Sequence, residues 1–496
     1  MGTRENLQLI LDAPGAGLGL DIVVVSTTTR AQAGFWERRL KAGRGQICRA
    51  DALILTVVED WPGGAGNGLG TLYALLGAAE SARRAHGRDL MAELAAGASV
   101  GIYHTAGKGT RLAPLPGSEG NNKPAVKLTG AVTIDGRTEA MTILEAVIRQ
   151  TAIYAAGRAG RVGVFWGDQV FIPSAGPPSA ATHHVDILAT LGPMPDDAEW
   201  DRRSLERYGL IAVAVNGDAA QVEKVSHSVA AALIRDGVIA VDGGIGVSLG
   251  SFSMSATMAV ALIDEFSAEL ESRTTKLDTD PHFWMPLTLD AATYGSMMTA
   301  KSVEASVADA HFTRMSDFLD RFQSAHPDRP IFGCVDVGDA GWWWDYGTIE
   351  GYVANNLKLL GGDEEAAGMR DFFGVAINGG NILVDSEISR LTARGCVMVG
   401  VLADQVSGTG SVLVSVQCPV VQGNDLLLYN VSEAGDIILP PGSIRADVLL
   451  PGDGPVALLS HRGRDGKDDW DLRLPGNPMS WAELHACNDA AEKEES

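Results

Sequence analysis

The chain has 496 residues, too many for one compact core, so about two or three domains are expected. Its 62 Asp and Glu against 39 Lys and Arg leave a net charge of −23. This excludes bulk attraction to nucleic acid or to an anionic membrane, and any phosphate site has to be a local basic pocket. The five scattered cysteines, Cys48, Cys334, Cys396, Cys418 and Cys487, form neither a CxxC pair nor a ligand cluster. The N-terminus lacks a leader-like apolar region and no run of about 18 apolar residues occurs, so a soluble, cytoplasmic protein with neither nucleic acid nor membrane as partner is expected.

In chain order, the first strand signal runs from Asp21 to Val25, a helical stretch follows to about Leu40, and a second strand spans Leu53 to Val58. In the next segment, VEDWPGGAGNGLGTLYALLGAAE, Gly66, Gly68 and Gly70 permit a tight backbone path. Thr71 would there cap a helix whose N-terminus faces a base or phosphate, with a plain flexible loop as the alternative. Val100 to His104 reads as a buried strand, Thr142 to Ala156 as a helix and Val162 to Trp166 as another strand. This alternation favours a parallel α/β architecture with helices on both faces.

From about Gly374 the texture changes to short Val/Ile/Leu runs broken by Gly, Asp and Ser, as in CVMVGVLADQVSGTGSVLVSV. An all-β domain is expected over 374–478, either a short left-handed parallel β-helix with steps of roughly six residues or a small sandwich. Residues 479–496 end in the charged AEKEES and read as a solvated helix or frayed tail.

The densest motif is VGIYHTAGKGTRLAPLPGSEGNNKPAVKL. Here a buried strand runs into a glycine loop, then Thr110 and Arg111, and later Lys123 and Pro124. Gly107 and Gly109 let backbone N–H groups approach an anion, while Lys108 and Arg111 bring positive charge to a triphosphate. Asp168 in VGVFWGDQVF lies just past a buried strand, where open α/β sheets place their ligands.

These residues resemble the signature of the sugar-1-phosphate nucleotidyltransferases, or NDP-sugar pyrophosphorylases: a GxGTRxxPL loop followed by KP. The upstream segments DIVVVSTTTRAQAGFWERRL and VEDWPGGAGNGLGTLYALLGAAE are similar to the fucose-1-phosphate guanylyltransferase branch. The likeness spans about residues 20 to 420 and is dense only around the quoted motifs. It implies a Rossmann-like, GT-A-like catalytic domain over 1–373 with a mixed sheet.

The resemblance also implies roles. Asp168, and Asp345 in GWWWDYGT, would hold Mg2+; Arg111, Lys123 and Lys224 would act on the reacting phosphates. Gly68, Gly70, Thr71, Ala106, Gly107, Gly109 and Thr110 would surround the nucleotide. Gly209 and Glu223, in YGLIAVAVNGDAAQVEKVS, would touch the sugar. Three departures stand out: Val225 where the family has proline after Glu-Lys, His104 and Thr105 at the end of the signature strand, and the insert Ser118 to Asn122 ahead of Lys123.

The implied activity joins an NTP to a sugar 1-phosphate and releases pyrophosphate, with GTP or UTP as the leading nucleotides. The alternatives are an NDP-sugar-dependent glycosyltransferase and a noncatalytic protein that binds a nucleotide sugar. The β domain would pack on the catalytic domain or mediate homo-oligomerisation; an acyltransferase role is disfavoured because it contains one histidine, His461. His104 and Trp342 to Trp344 are expected to be packing residues.

Overall fold

The computed structural model describes residues 2–105, 107–450 and 454–494. Its centre is a mixed sheet in the order Ala219–Glu223, Gly209–Val213, Gly244–Ser255, Arg161–Trp166, Val100–His104, Ile22–Thr27, Leu53–Val58. The last four strands are parallel. Gly244–Ser255 runs antiparallel to Arg161–Trp166 and ends the parallel block, and Val185–Gly192 pairs with it and with Phe332–Asp336.

The parallel strands carry unbroken apolar runs because helices cover both faces. Alternate residues enter opposite cores: Val23, Val25 and Phe165 meet Trp36, Leu40 and Ile143 on one side. Ile22, Val24 and Val164 meet Leu69, Leu72 and Leu262 on the other. The helix expected from Thr142 is Ile143–Thr151 followed by a 3-10 turn, Ala152–Gly157. A capping box starts it: the Thr142 hydroxyl accepts from the Glu145 amide, and Glu145 Oε2 accepts from the Thr142 amide.

The change of texture at Gly374 coincides with the end of the helix Glu364–Phe373, where Gly374 takes φ +68°. Beyond it the strands stack in parallel, and each partner lies fifteen residues further along: Ile382 on Val397, Val397 on Val412, Val412 on Leu427. The expected step of about six residues is therefore replaced by a fifteen-residue coil, and parallel stacking takes the place of the sandwich alternative. Two corners recur at that spacing with left-handed backbone, Gly380, Gly395, Gly410, Asp425 and Asp385, Gly400, Ser415, Asn430. A polar ladder follows the same period: Asn381 Oδ1 accepts from the Cys396 amide at 2.9 Å and Ser411 Oγ from the Leu426 amide at 3.0 Å.

One side of this coil has its own interior, including Met398, Val401, Leu413 and Leu428. The other side, through Val397, Val412, Leu427 and Tyr429, is continuous with the core beneath the central sheet. The antiparallel pair Ser443–Leu450 and Gly454–His461 closes the stack.

The segment read as a solvated helix or frayed tail contains the helix Trp481–Glu494, and one of its faces is docked. Trp481 and Leu484, three residues apart on one face, pack with Ala113, Leu450, Leu458 and Leu474. Among the described residues no helix is long and apolar enough to cross a membrane.

Candidate active site

The parallel strands Ile22–Thr27, Val100–His104 and Arg161–Trp166 end on one edge of the sheet, where ligands of open α/β folds bind. The signature loop leaves Val100–His104 there. The Thr105 amide and hydroxyl both donate to the Ser26 carbonyl, at 3.2 and 2.6 Å, which ties the loop's start to the next strand. Gly107 and Gly109 have φ of +121° and +62°. A Cβ at Gly109 would stand 3.1 Å from Lys123 Cγ and 3.0 Å from Pro116 Cγ, so glycine here gives the Lys123 stem its path. Arg111 sits on the 3-10 turn Thr110–Leu112. Ala106, expected to touch the nucleotide, lies outside the described residues.

The insert before Lys123 is held from two sides. Tyr429 donates to Glu119 Oε1 at 2.6 Å, and Lys127 Nζ lies 3.0 Å from the same oxygen. From the C-terminal helix, Asp489 Oδ1 accepts from Asn121 Nδ2 at 2.7 Å and Asn488 Nδ2 donates to the Gly117 carbonyl. Lys108 rests over the Trp470 ring, 5.9 Å from its centroid.

Asp168 follows Arg161–Trp166 at the same edge. The short strand Gln169–Ile172 pairs antiparallel with Trp342–Asp345, which sets Asp345 opposite Gln169 and next to Asp168. The Tyr346 amide donates to the Asp168 carbonyl at 3.0 Å, and the Gly347 amide donates to Asp345 Oδ1 at 2.7 Å. The point where a Cβ on Gly347 would lie is 3.0 Å from Asp345 Oδ1, 3.4 Å from Asp168 Oδ2 and 3.7 Å from Arg111 Nη2. Lys123 Nζ lies 2.6 Å from Asp168 Oδ2. Four sequence-selected residues, Arg111, Lys123, Asp168 and Asp345, thus meet around one glycine.

Burial raises the Asp345 carboxyl above its ordinary range; the Gly347 hydrogen bond opposes this, the Asp168 charge adds to it, and Arg111 and Lys123 oppose it. Two carboxylates that crowd each other favour a bound cation, and their hard oxygens suit Mg2+, which commonly takes only one or two protein carboxylates. No group of three or more His, Cys, Asp or Glu side chains suited to a metal occurs among the described residues.

A second cluster lies one strand away. The strand Gly244–Ser255 has a bulge between Ser248 and Phe252. There Gly250 abuts the Trp166 indole, while Ser248 approaches Gly209. Gly209 pairs with Glu223 across the antiparallel strands. Glu223 carboxylate oxygens lie 2.8 Å from Lys224 Nζ and 2.7 Å from Lys301 Nζ. Burial alone would raise the Glu223 carboxyl, but the hydrogen bonds from the two lysines outweigh it and hold it below the ordinary range. Lys224, just ahead of Val225, has φ +58°, and its amide donates to the Tyr208 carbonyl.

The glycine-rich segment does not place Thr71 as a helix cap. The helix begins at Gly66, so Thr71 lies inside it rather than capping it; its hydroxyl donates to the Asn67 carbonyl at 2.7 Å and shares a hydrogen bond with His104 Nε2 at 2.8 Å. The first helical amides are already taken: Gly68 and Leu69 donate to the Leu277 carbonyl, and Asn67 donates to Asp278 Oδ1. A Cβ on Gly68 would stand 2.9 Å from that carbonyl, and one on Gly70 would stand 3.0 Å from Glu59 Oε2. Gly68 thus permits a close approach of loop 277–280, and Gly70 a close approach of the Glu59 carboxylate. Gly68→Ala is accordingly expected to cost about 1–3 kcal/mol by overpacking, read as a lower urea midpoint at unchanged slope.

His104, stacked on Trp166 at 5.5 Å, is buried, and burial pushes its imidazole down to about 4, so it is neutral at physiological pH. Three residues of the second cluster were missed by sequence reasoning: Gln221, Asp280 and Lys301. The acidic pair in LDTDP is the only linear signal near them. The chain matches no family model and no curated protein.

Proposed function

We propose that the protein is a sugar-1-phosphate nucleotidyltransferase, which joins an NTP to a sugar 1-phosphate to give an NDP-sugar and pyrophosphate. The observation that carries this reading is the meeting of two cations, Arg111 and Lys123, with two carboxylates, Asp168 and Asp345, around Gly347 at the edge of the sheet. A site for hydrolysis or acyl transfer would need a nucleophile and base; this one offers charge and position, which is what phosphoryl-group chemistry requires.

A sugar 1-phosphate is an anion at neutral pH, so its oxygen attacks the α-phosphorus without a protein base. The bond from the α-phosphorus to the bridging oxygen breaks, and pyrophosphate leaves with that electron pair. Arg111 and Lys123 neutralise the triphosphate, with Lys123 exchanging Asp168 for a phosphate oxygen. Lys224 faces the sugar phosphate from the second cluster. Mg2+ held by Asp168 and Asp345 would supply further charge stabilisation at the phosphates. GTP is supported by the N-terminal resemblance and UTP by the loop. Five unpaired cysteines support a cytosolic setting.

The test is pyrophosphate release over all five NTPs and a panel of sugar 1-phosphates, with and without EDTA. Release that requires one NTP, one sugar and the divalent ion is expected. Turnover of an NDP-sugar without pyrophosphate would favour a glycosyltransferase, and nucleotide-sugar binding without turnover would favour a regulatory protein.

A further inference from the structure

A buried polar side chain without a partner is costly, because folding removes its water and returns nothing. Gln221 is such a residue: it is 0% exposed, and neither Oε1 nor Nε2 meets a hydrogen-bond partner. Its Nε2 stands 3.1 Å from the point where a Cβ on Gly209 would lie, and Asp280 Oδ2 stands 3.6 Å from the same point. The missing side chain at 209 therefore lets an amide and a carboxyl come close over its bare backbone. Glu223 lies two residues beyond Gln221 on its strand and shares that face.

The notch is built from segments far apart in the chain. Asp280 opens a short π-helical turn, Asp280–Trp284, a geometry that recurs at functional sites. Its position is fixed from the glycine-rich segment: Asn67 Oδ1 accepts from the Thr279 amide at 2.7 Å, and Asp278 Oδ1 accepts from the Asn67 amide at 3.0 Å. The close packing of Gly66 and Gly68 on Leu277 thus seats Asp280 opposite Gly209.

We propose that Gln221 and Asp280, above the bare backbone of Gly209 and beside Glu223, read the hydroxyl groups of the sugar ring and select an uncharged pyranosyl phosphate against a uronic acid one. The proposal rests on the nucleotidyltransferase reading for the identity of its ligand. The donor pattern gives the chemistry: a carboxamide donates and accepts, and the ionised Glu223 only accepts. Burial and the Glu223 charge push the Asp280 carboxyl up to about 7, so its protonated form adds a donor. A hydroxyl both donates and accepts and so satisfies such a set, whereas a sugar carboxylate only accepts and brings no donor for Glu223.

The test uses the full-length protein and two variants, Gln221→Leu and Asp280→Asn. Pyrophosphate release is measured at saturating NTP with glucose, mannose, fucose and glucuronic acid 1-phosphates. Each variant is expected to raise the KM of the preferred neutral sugar phosphate about tenfold or more, with the KM of the NTP moving less than about twofold. The wild type rejects glucuronic acid 1-phosphate. Gln221→Leu also keeps or raises the Tm, since an apolar group replaces an unpartnered amide, and this separates a substrate contact from a structural one.

Unchanged sugar KM in both variants, or an equal rise in the KM of the NTP, overturns the notch; preference for glucuronic acid 1-phosphate overturns its selectivity. If the wild type releases no pyrophosphate with any pair, the nucleotidyltransferase reading fails, and the same proteins are titrated with the sugar 1-phosphates by calorimetry. Binding of a neutral sugar phosphate that the variants lose then sustains the notch, and no binding to the wild type overturns it.

Discussion

Lys123→Ala is expected to lower kcat/KM by about 100- to 1,000-fold, the loss that follows removal of one preorganised charge-stabilising group. Lys123 is the cation nearest Asp168, at 2.6 Å, and its stem is confined by Gly109 and Pro116. Removing it leaves Asp168 and Asp345 to repel the incoming triphosphate. Lys123→Arg restores the charge but not the compact ammonium that fits this path, so it recovers only part of the loss. Steady-state kinetics beside a thermal melt check both variants; loss of activity in Lys123→Ala smaller than about tenfold, in a folded protein, would remove Lys123 from the reaction.

Asp186→Ala is expected to be the most damaging single change to stability, costing about 3–5 kcal/mol. Arg161 and Asp186 are 2.9 Å apart with side chains only 2% and 1% exposed. Arg161 also donates to the His183, His184 and Ser253 carbonyls, so its position is fixed and it cannot turn to water. Burial lowers the neighbouring Arg158 guanidinium as well, with the Asp186 charge opposing it. Removing Asp186 leaves two buried cations without their carboxylate. The pair sits at the N-terminal end of its strands, away from the active edge, so KM values of the surviving folded protein should stay near wild type. Urea unfolding gives the answer, and a change below about 1 kcal/mol would show that the pair is dispensable.

The meeting of Arg111, Lys123, Asp168 and Asp345 was legible because these residues lie in contiguous motifs at the ends of buried strands, which an open α/β sheet brings to one edge. The strand Leu53–Val58 and the strand Val100–His104 match the apolar runs from which they were read, because burial on both faces leaves no polar alternation to blur their ends.

Other features were visible but carried a different meaning. Gly66, Gly68 and Gly70 announced a close approach, and sequence cannot say to what; Gly66 and Gly68 meet the Leu277 carbonyl, some two hundred residues away, and Gly70 meets the Glu59 carboxylate. Gln221 gave no signal and Asp280 only that of an acidic pair in LDTDP, since each is an ordinary polar residue until the chain brings both to Gly209. The fifteen-residue coil was hidden because its corner positions exchange Gly, Asp, Ser and Asn, all tolerant of left-handed backbone, and two of its strands run through a corner as eleven-residue elements. The docking of the C-terminal helix was hidden by its charges, since few apolar residues, Trp481 and Leu484 among them, mark its packed face.

The most direct test of the central claim is 31P NMR of the wild-type protein with Mg2+, its preferred NTP and a sugar 1-phosphate, beside the Asp168→Asn, Asp345→Asn double variant. The expected result is the paired diphosphate resonances of an NDP-sugar growing in step with pyrophosphate, and neither in the double variant. NTP converted to NDP and inorganic phosphate, or turnover that survives loss of both carboxylates, would contradict it.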